Sequence, residues 1–519
     1  MNSQVDPSSS VATDSEKATE PLSKATRLPE YDELDATAIV ALIKKGELTR
    51  SEVLEAAIER AEMRNPSLNA IVTPLYDRAR EGINELSSGP LEGVPFLLKD
   101  LKAKLKGTPT SNGTRLEKGR IAESNTLIVD RFLEAGVQVI GKSSSPEFGI
   151  MGVTEPEIWG PCRNPWNLNH TPGGSSGGSS SAVAARIVPI AHAGDGGGSI
   201  RIPASATGTF GMKPTRGRVS MAPYLGEGWG GFVQEGVISR SVRDSALALD
   251  QIDQLTIGEP YSAPHKPRPW TSYLQAPTRP LKIAFTTGTL FGQENHPDCI
   301  AAVESTMKLL EDLGHHVEEA RPTFPRDELV EAYFLTVASG SSIFVEDASA
   351  YAGIKPSPKN FETTTWALAQ IGWHTSAARL SRARNTMHAA SREIAHFFTD
   401  YDLFVSSTHA APPIRVGELA LSTADKLQLA VIRNLPLQSL FDLMLKGMGN
   451  KALSRTPNTM LFNQTGQPAM SVPLHWNEQG LPIGTQIVAP FGEEGLLFEL
   501  ATQLEEARPW ANKRPPLIS

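Results

Sequence analysis

Gly173-Gly-Ser-Ser-Gly-Gly178 and Asp195-Gly-Gly-Gly-Ser199 are two glycine–serine clusters, joined by a small-residue segment, Ala182 to Ala185, and an apolar stretch, Ile187 to Ala191. A flexible linker has a similar composition, but a linker is not flanked so closely by segments apolar enough to be buried. It would also leave the second cluster unexplained. Three successive residues without a Cβ can turn their N–H groups toward one point and form an anion nest. Ser199 ends that run, beside the hole it would use. Acyl transfer needs a nucleophile, a base for its proton and donors for the developing oxyanion, and this stretch offers the first and the last.

Working outward, helical and strand patterns alternate. Asp35 to Lys45 carries Ile39, Leu42 and Ile43 at helical spacing and stops at Gly46; Thr49 and Glu52 form a capping-box pattern that opens a second helix, expected to end at Asn65-Pro66. Leu68 to Thr73, Gly93 to Lys99 and Val137 to Ile140 read as strands, and Ser124 to Ala135 as a helix. Further on, Leu281 to Phe285, Ile300 to Leu313 and His316 to Glu319 form a β–α–β pattern. Helices are expected at 327–345 and 375–398, then strands at Asp402 to Ser406, Ala469 to Pro473 and Gly484 to Val488. No linker divides the chain. The expected fold class is α/β: a polar disordered tail over 1–30, then one domain over 31–519 with a mixed central sheet.

Composition sets limits. With 519 residues, 40% hydrophobic and 20% charged, the chain is that of a large globular protein. A net charge of −8 does not favour nucleic acid or anionic membrane as partners. The N-terminus lacks the apolar core of a signal peptide, and no stretch approaches the ~18 uninterrupted apolar residues of a membrane span; a cytoplasmic location is expected. Cys162 and Cys299 stand far apart, in neither a redox pair nor a metal-ligand spacing. No metal site and no cofactor is expected.

Two further glycine motifs mislead. Gly136-Val-Gln-Val-Ile-Gly141-Lys142-Ser143 matches a phosphate-binding loop letter for letter. Val137, Val139 and Ile140 are stiff strand formers, however, and Ser143-Ser-Ser-Pro146 follows where a helix should begin. Gly173-Gly-Ser175-Ser-Gly177 matches a nucleophile elbow, but the residues before it, Asn164 to Pro172, cannot form the launching strand.

The base is the harder question. Lys99 closes the apolar run Val94 to Leu98, so its Cα lies next to the interior. Desolvation lowers a lysine pKa, and a neutral lysine can accept a serine proton. Asp100 should point to the opposite face of the strand. On spacing alone, a solvated strand-end lysine is the simpler reading.

Taken together, Gly173 to Gly178, Asp195-Gly-Gly-Gly-Ser-Ile-Arg-Ile-Pro203 and Gly211-Met-Lys-Pro-Thr215 resemble the amidase signature family. Gly93 to Asp100, Asn164-Pro-Trp166 and Phe462 to Pro473 are similar to its other hallmarks, and the resemblance spans roughly Asp35 to Pro509. It implies a single amidase-signature domain with a mixed sheet of about eleven strands flanked by helices on both faces. It also implies a Ser-cisSer-Lys triad. By position, Ser199 is the nucleophile, Ser175 the proton-relaying serine after a cis bond and Lys99 the base. The N–H groups of Gly196, Gly197, Gly198 and Ser199 would form the oxyanion hole, with Gly149 a backbone position against the substrate. Asp195 and Arg201 are expected to pair structurally. Many members carry threonine where this chain has Gly194, so the network behind Ser175 must differ; Ser176 either joins that network or caps the following helix, and the cap is the favoured reading.

Thr154 to Gly160, Lys213 to Val219 and Arg240 to Asp244 look most like the 6-aminohexanoate cyclic-dimer hydrolase branch. The implied partner is a small, largely apolar linear or cyclic amide, with a homodimer left open. Ala222 to Gln234 and Leu437 to Pro457 are the expected specificity loops. Carbamate or ester hydrolysis by the same machinery, or a glutaminase subunit of an amidotransferase, are the alternatives.

Overall fold

The structure is a computed structural model that describes residues 25–254, 256–420, 442, 445, 447, 449 and 453–518. The eleven strands are β1 (Ile71–Pro74), β2 (Pro95–Lys99), β3 (Gln138–Ser143), β4 (Ile190–Asp195), β5 (Phe210–Lys213), β6 (Gln234–Ser239), β7 (Lys282–Phe285), β8 (His316–Glu319), β9 (Leu403–Ser407), β10 (Ala469–Trp476) and β11 (Pro482–Val488). They form one sheet in the order β1-β3-β2-β4-β6-β5-β10-β11-β9-β7-β8. The sheet is mixed: β2 pairs in parallel with β3 and β4, and β7 with β8 and β9, while the other pairings are antiparallel.

The strands of the sheet's middle are buried along their whole length, β2, β4, β5 and β6 without exception, as expected where helices cover both faces. This is why β2 reads as a continuous apolar run rather than as an alternating pattern, whereas β5 and β6, which carry Gly, Lys, Gln, Glu and Ser, were not expected as strands. The parallel pairing of β2 with β4 sets their C-terminal ends, Lys99 and Asp195, on the same edge. Ligands in α/β sheets collect at such strand ends.

Several boundaries differ from expectation. The second helix runs through Pro66, spanning Arg50–Leu68, because a proline in the last turn removes only one hydrogen bond and the left-handed Asn69 ends the helix instead. Asn65 then organises the turn: its Oδ1 accepts from the N–H groups of Ala70 and Ile71, and its Nδ2 donates to the Ile71 carbonyl. The first strand accordingly starts at Ile71. The phosphate-loop match falls on β3, whose Lys142 is fully buried and donates to the Ala103 carbonyl and the Thr110 hydroxyl. The helix Thr363–Trp373 was not expected; it opens on three threonines, residues that favour strands.

The expected tail falls largely outside the described residues. Thr26 and Arg27 are described, and their N–H groups donate to Glu59 on the second helix. Among the described residues one helix, Arg326–Tyr351, is long and apolar enough to cross a membrane, and more than half of that apolar window is buried inside the protein.

Asn65→Ala removes three hydrogen bonds from the turn that delivers β1. The expected loss is about 1–3 kcal/mol in urea unfolding; a loss under about 0.5 kcal/mol would mean the turn is held by other contacts.

Candidate active site

The three expected site residues meet in one pocket. Lys99 Nζ lies 2.7 Å from Ser175 Oγ, and both line the same cleft as Ser199, Gly149, Gly194 and Gly196. Lys99 is 1% exposed and Ser175 2%, whereas Ser199 is half-buried and open to the cleft. The Gly174–Ser175 bond is cis, as the resemblance implied. Ser175 precedes the helix Gly177–Ala184, and Ser199 sits in the turn between β4 and the helix Arg201–Thr207. The main chain ties the serines together, since the Ser176 N–H donates to the Ser199 carbonyl at 3.3 Å. Gly149, at φ 71°, brings its backbone against Ser175: a Cβ there would lie 3.2 Å from Ser175 Oγ.

Burial pushes Lys99 down to about 8, while the charges of Glu235 and Asp195 work in the opposite direction. The solvated strand-end reading does not hold: the side chain turns inward. Asp100 points away as expected, accepting from the Ser111 N–H at 2.8 Å.

The turn carrying Ser199 is fixed by Asp195. Arg201 donates to both its carboxylate oxygens, Nε to Oδ2 and Nη2 to Oδ1, each at 3.0 Å, with both side chains wholly buried. Burial alone would raise this carboxyl, but the Arg201 charge and its hydrogen bonds outweigh that and hold it well below the usual range. Asn463 donates to Asp195 Oδ1 at 2.8 Å and accepts from Arg201 Nη2 at 2.6 Å. Asn463, from the distant Phe462 to Pro473 hallmark, is thus a lock on the turn that carries Ser199, a role that cannot be read from that segment alone.

Two expectations need correction. The Gly198 N–H donates to Asp195 Oδ1 at 2.7 Å, so it braces the turn and is not turned to a substrate. Gly198 has φ 127°, which L residues rarely adopt, and this allows that inward donation. Ser176 does not cap its helix; its Oγ donates to the Gly194 carbonyl at 3.2 Å, a carbonyl that also receives Lys99 Nζ at 3.4 Å. Ser176 therefore belongs to the network behind Ser175.

Most of the cleft wall is apolar, formed by Leu101, Phe148, Met221, Leu225, Trp229 and Phe344, with Lys102 and Glu235 also lining it. Three of the apolar residues lie in or beside the expected loop Ala222 to Gln234. Of Leu437 to Pro457 most lies outside the described residues, but Leu453 and Thr456 line a small adjoining pocket with Ser199 and Gly149. A cavity of about 400 Å³ opens beside the cleft and shares Phe148, Phe344 and Glu235 with it. His170 lines none of these spaces, and His192 and Glu235 were not expected in the site at all. Among the described residues no group of three His, Cys, Asp or Glu could hold a metal ion.

Arg201→Met keeps the packing but strands the Asp195 carboxylate, and is expected to cost about 3–5 kcal/mol in denaturant unfolding. A loss below about 1 kcal/mol would contradict the lock.

The family model for Amidase matches residues 52–498. The chain is 35% identical over 493 residues to a 6-aminohexanoate-cyclic-dimer hydrolase of Pseudomonas sp. (strain NK87), covering 93% of this chain and 97% of the relative. A solved structure of 6-aminohexanoate cyclic dimer hydrolase complexed with substrate superposes with TM-score 0.84 at 34% identity, covering 94% of this chain and 100% of that one. A bacterial aryl acylamidase superposes with TM-score 0.80 at 27% identity, over 94% and 99%.

Proposed function

The chain belongs to the amidase family and is a hydrolase of carbon–nitrogen bonds other than peptide bonds, and on that premise we propose that it cleaves small, largely apolar linear or cyclic amides through an acyl-enzyme on Ser199. The observation that carries this reading is the buried 2.7 Å contact between Lys99 Nζ and Ser175 Oγ, in the cleft that Ser199 lines.

In the proposed step, Ser199 Oγ attacks the amide carbonyl carbon and a C–O bond forms. The serine proton passes to Ser175 Oγ as Ser175 gives its own to neutral Lys99 Nζ. The carbonyl electron pair moves onto oxygen, where the N–H groups of Gly196, Gly197 and Ser199 receive it; such a donor contributes roughly 3–4 kcal/mol to lowering a barrier of this kind. Collapse breaks the C–N bond, and the relay returns the proton to the leaving nitrogen. Water then attacks the ester by the same route and frees the acid.

The mostly apolar walls favour an aliphatic or aromatic amide over a charged one. The similarity to a cyclic-dimer hydrolase makes 6-aminohexanoate cyclic dimer the first substrate to test. Carbamates and esters can pass through the same intermediate, so a hydrolysis screen should compare linear amides, lactams, anilides and carbamates. Turnover of carbamates alone would move the assignment to that class.

Ser199→Ala is expected to lower kcat by at least about 10⁴-fold with the fold intact by circular dichroism; wild-type turnover would exclude Ser199 as nucleophile. The pH dependence has a definite sign. Below about 8 Lys99 holds its proton and cannot accept another. On a neutral amide, kcat/KM should then fall about tenfold per pH unit below that value and level off above it. Lys99→Met should abolish most activity, and no single histidine variant, His170 and His192 included, should match that loss. A limb near ~6.5 that vanished with one histidine would overturn the lysine mechanism.

A further inference from the structure

Gly194 and Glu235 are direct partners in the antiparallel ladder between β4 and β6, so side chains at the two positions share a face. Gly194 has none, and Glu235 leans into the vacated space: a Cβ at 194 would lie 2.6 Å from Glu235 Oε2. The carboxylate thus stands over the stretch of β4 whose carbonyl receives Lys99 Nζ, and it lines both the catalytic cleft and the larger cavity beside it.

His192 lies two residues before Gly194, on the same face of β4. Its Nδ1 accepts the main-chain N–H of Lys99 at 3.3 Å. The ring proton therefore sits on Nε2, which donates to Glu235 Oε2 at 3.0 Å. Lys99 is held from both ends: its backbone by His192, its amino group by Ser175 and the Gly194 carbonyl.

We propose that Glu235, oriented by His192, is a positioning residue for Lys99, supplying the buried negative charge against which the lysine takes up and releases the proton of the serine relay. The proposal rests on the reading of Lys99 as the base. Near Lys99 the other charged groups are Asp195, which is matched by Arg201, and Lys102, whose amino group sits over the Phe344 ring. Across the cavity stand Lys104, Asp347 and the Glu117–Arg120 pair. Among the described residues Glu235 has no arginine or lysine within ion-pair distance; its partner is the imidazole of His192. Of the two carboxylates that oppose the effect of burial on Lys99 it is the stronger.

The sign is unusual for an active-site acid. Removing the carboxylate removes support for the ammonium form, so the base should become available at lower pH. The test is the pH profile of kcat/KM on one uncharged amide, each variant normalised to its own plateau. In Glu235→Gln the ascending limb should move about one unit toward acid, and Glu235→Asp, which restores the charge, should bring it back toward wild type. If Glu235→Gln does not fold, Glu235→Ala, which only empties the space over Gly194, is read on the same profile. An unmoved limb, a limb shifted toward base, or a rise in KM at every pH with no shift would each overturn the proposal. Lys99→Met run in parallel separates the two claims: a wild-type profile there overturns the base assignment itself, whereas loss of the limb there with no shift in Glu235→Gln overturns the role of Glu235 alone.

Discussion

Asp195 and Arg201 form a fully buried, two-pronged ion pair, and the shape of the site follows from it. Two charges taken out of water persist only when every remaining hydrogen-bonding position is also filled. Asp195 meets that demand with the N–H groups of Gly198 and Ile200 and the amide of Asn463; Arg201 meets it with Gln486, Asn463 and the Thr459 carbonyl. The turn after β4 is wound around the carboxylate by these bonds, and Ser199 is where that turn meets the cleft. Residues from β4, from the helix Leu461–Thr465 and from β11 are thereby joined across the sheet, so the geometry of the glycine turn is set by the tertiary fold and not by the glycines alone.

The opposite electrostatic solution is used at Lys99. Its amino group is buried with a hydroxyl and a carbonyl as its hydrogen-bond partners, so nothing fully compensates the lost hydration and the neutral form gains ground. The two neighbouring sites therefore differ in kind. A saturated ion pair stays charged and rigid, whereas Lys99, with no ion-pair partner among the described residues, is shifted by burial toward its neutral form. Closely placed titratable groups whose surroundings push their proton affinities apart are a common arrangement in acid–base sites.

Much of this was legible in the chain, and what was not had physical reasons. A buried strand such as β2 announces itself as a short apolar run, and the serines stand out because glycine surrounds them. The pairing of Asp195 with Arg201 was readable because both flank one turn. The inward donation of the Gly198 N–H is not legible in the chain, because composition shows that an N–H can turn, not which acceptor claims it. Ser176 reads as a cap because a serine before a helix usually is one, yet its hydroxyl donates to the Gly194 carbonyl instead. Glu235 reaches the site through strand register and Asn463 through the placement of the helix Leu461–Thr465, neither of which one sequence reveals. Glu235 left a trace only in the glycine opposite it.

The central claim is that Ser199, and not Ser175, carries the acyl group. It is tested most directly by treating the protein with a slowly deacylating ester or a small sulfonyl fluoride and mapping the adduct by peptide mass spectrometry. A single adduct on Ser199, absent from Ser199→Ala and slowed in Lys99→Met, is the predicted result. Modification of Ser175, or of any residue outside this cleft, would contradict the account.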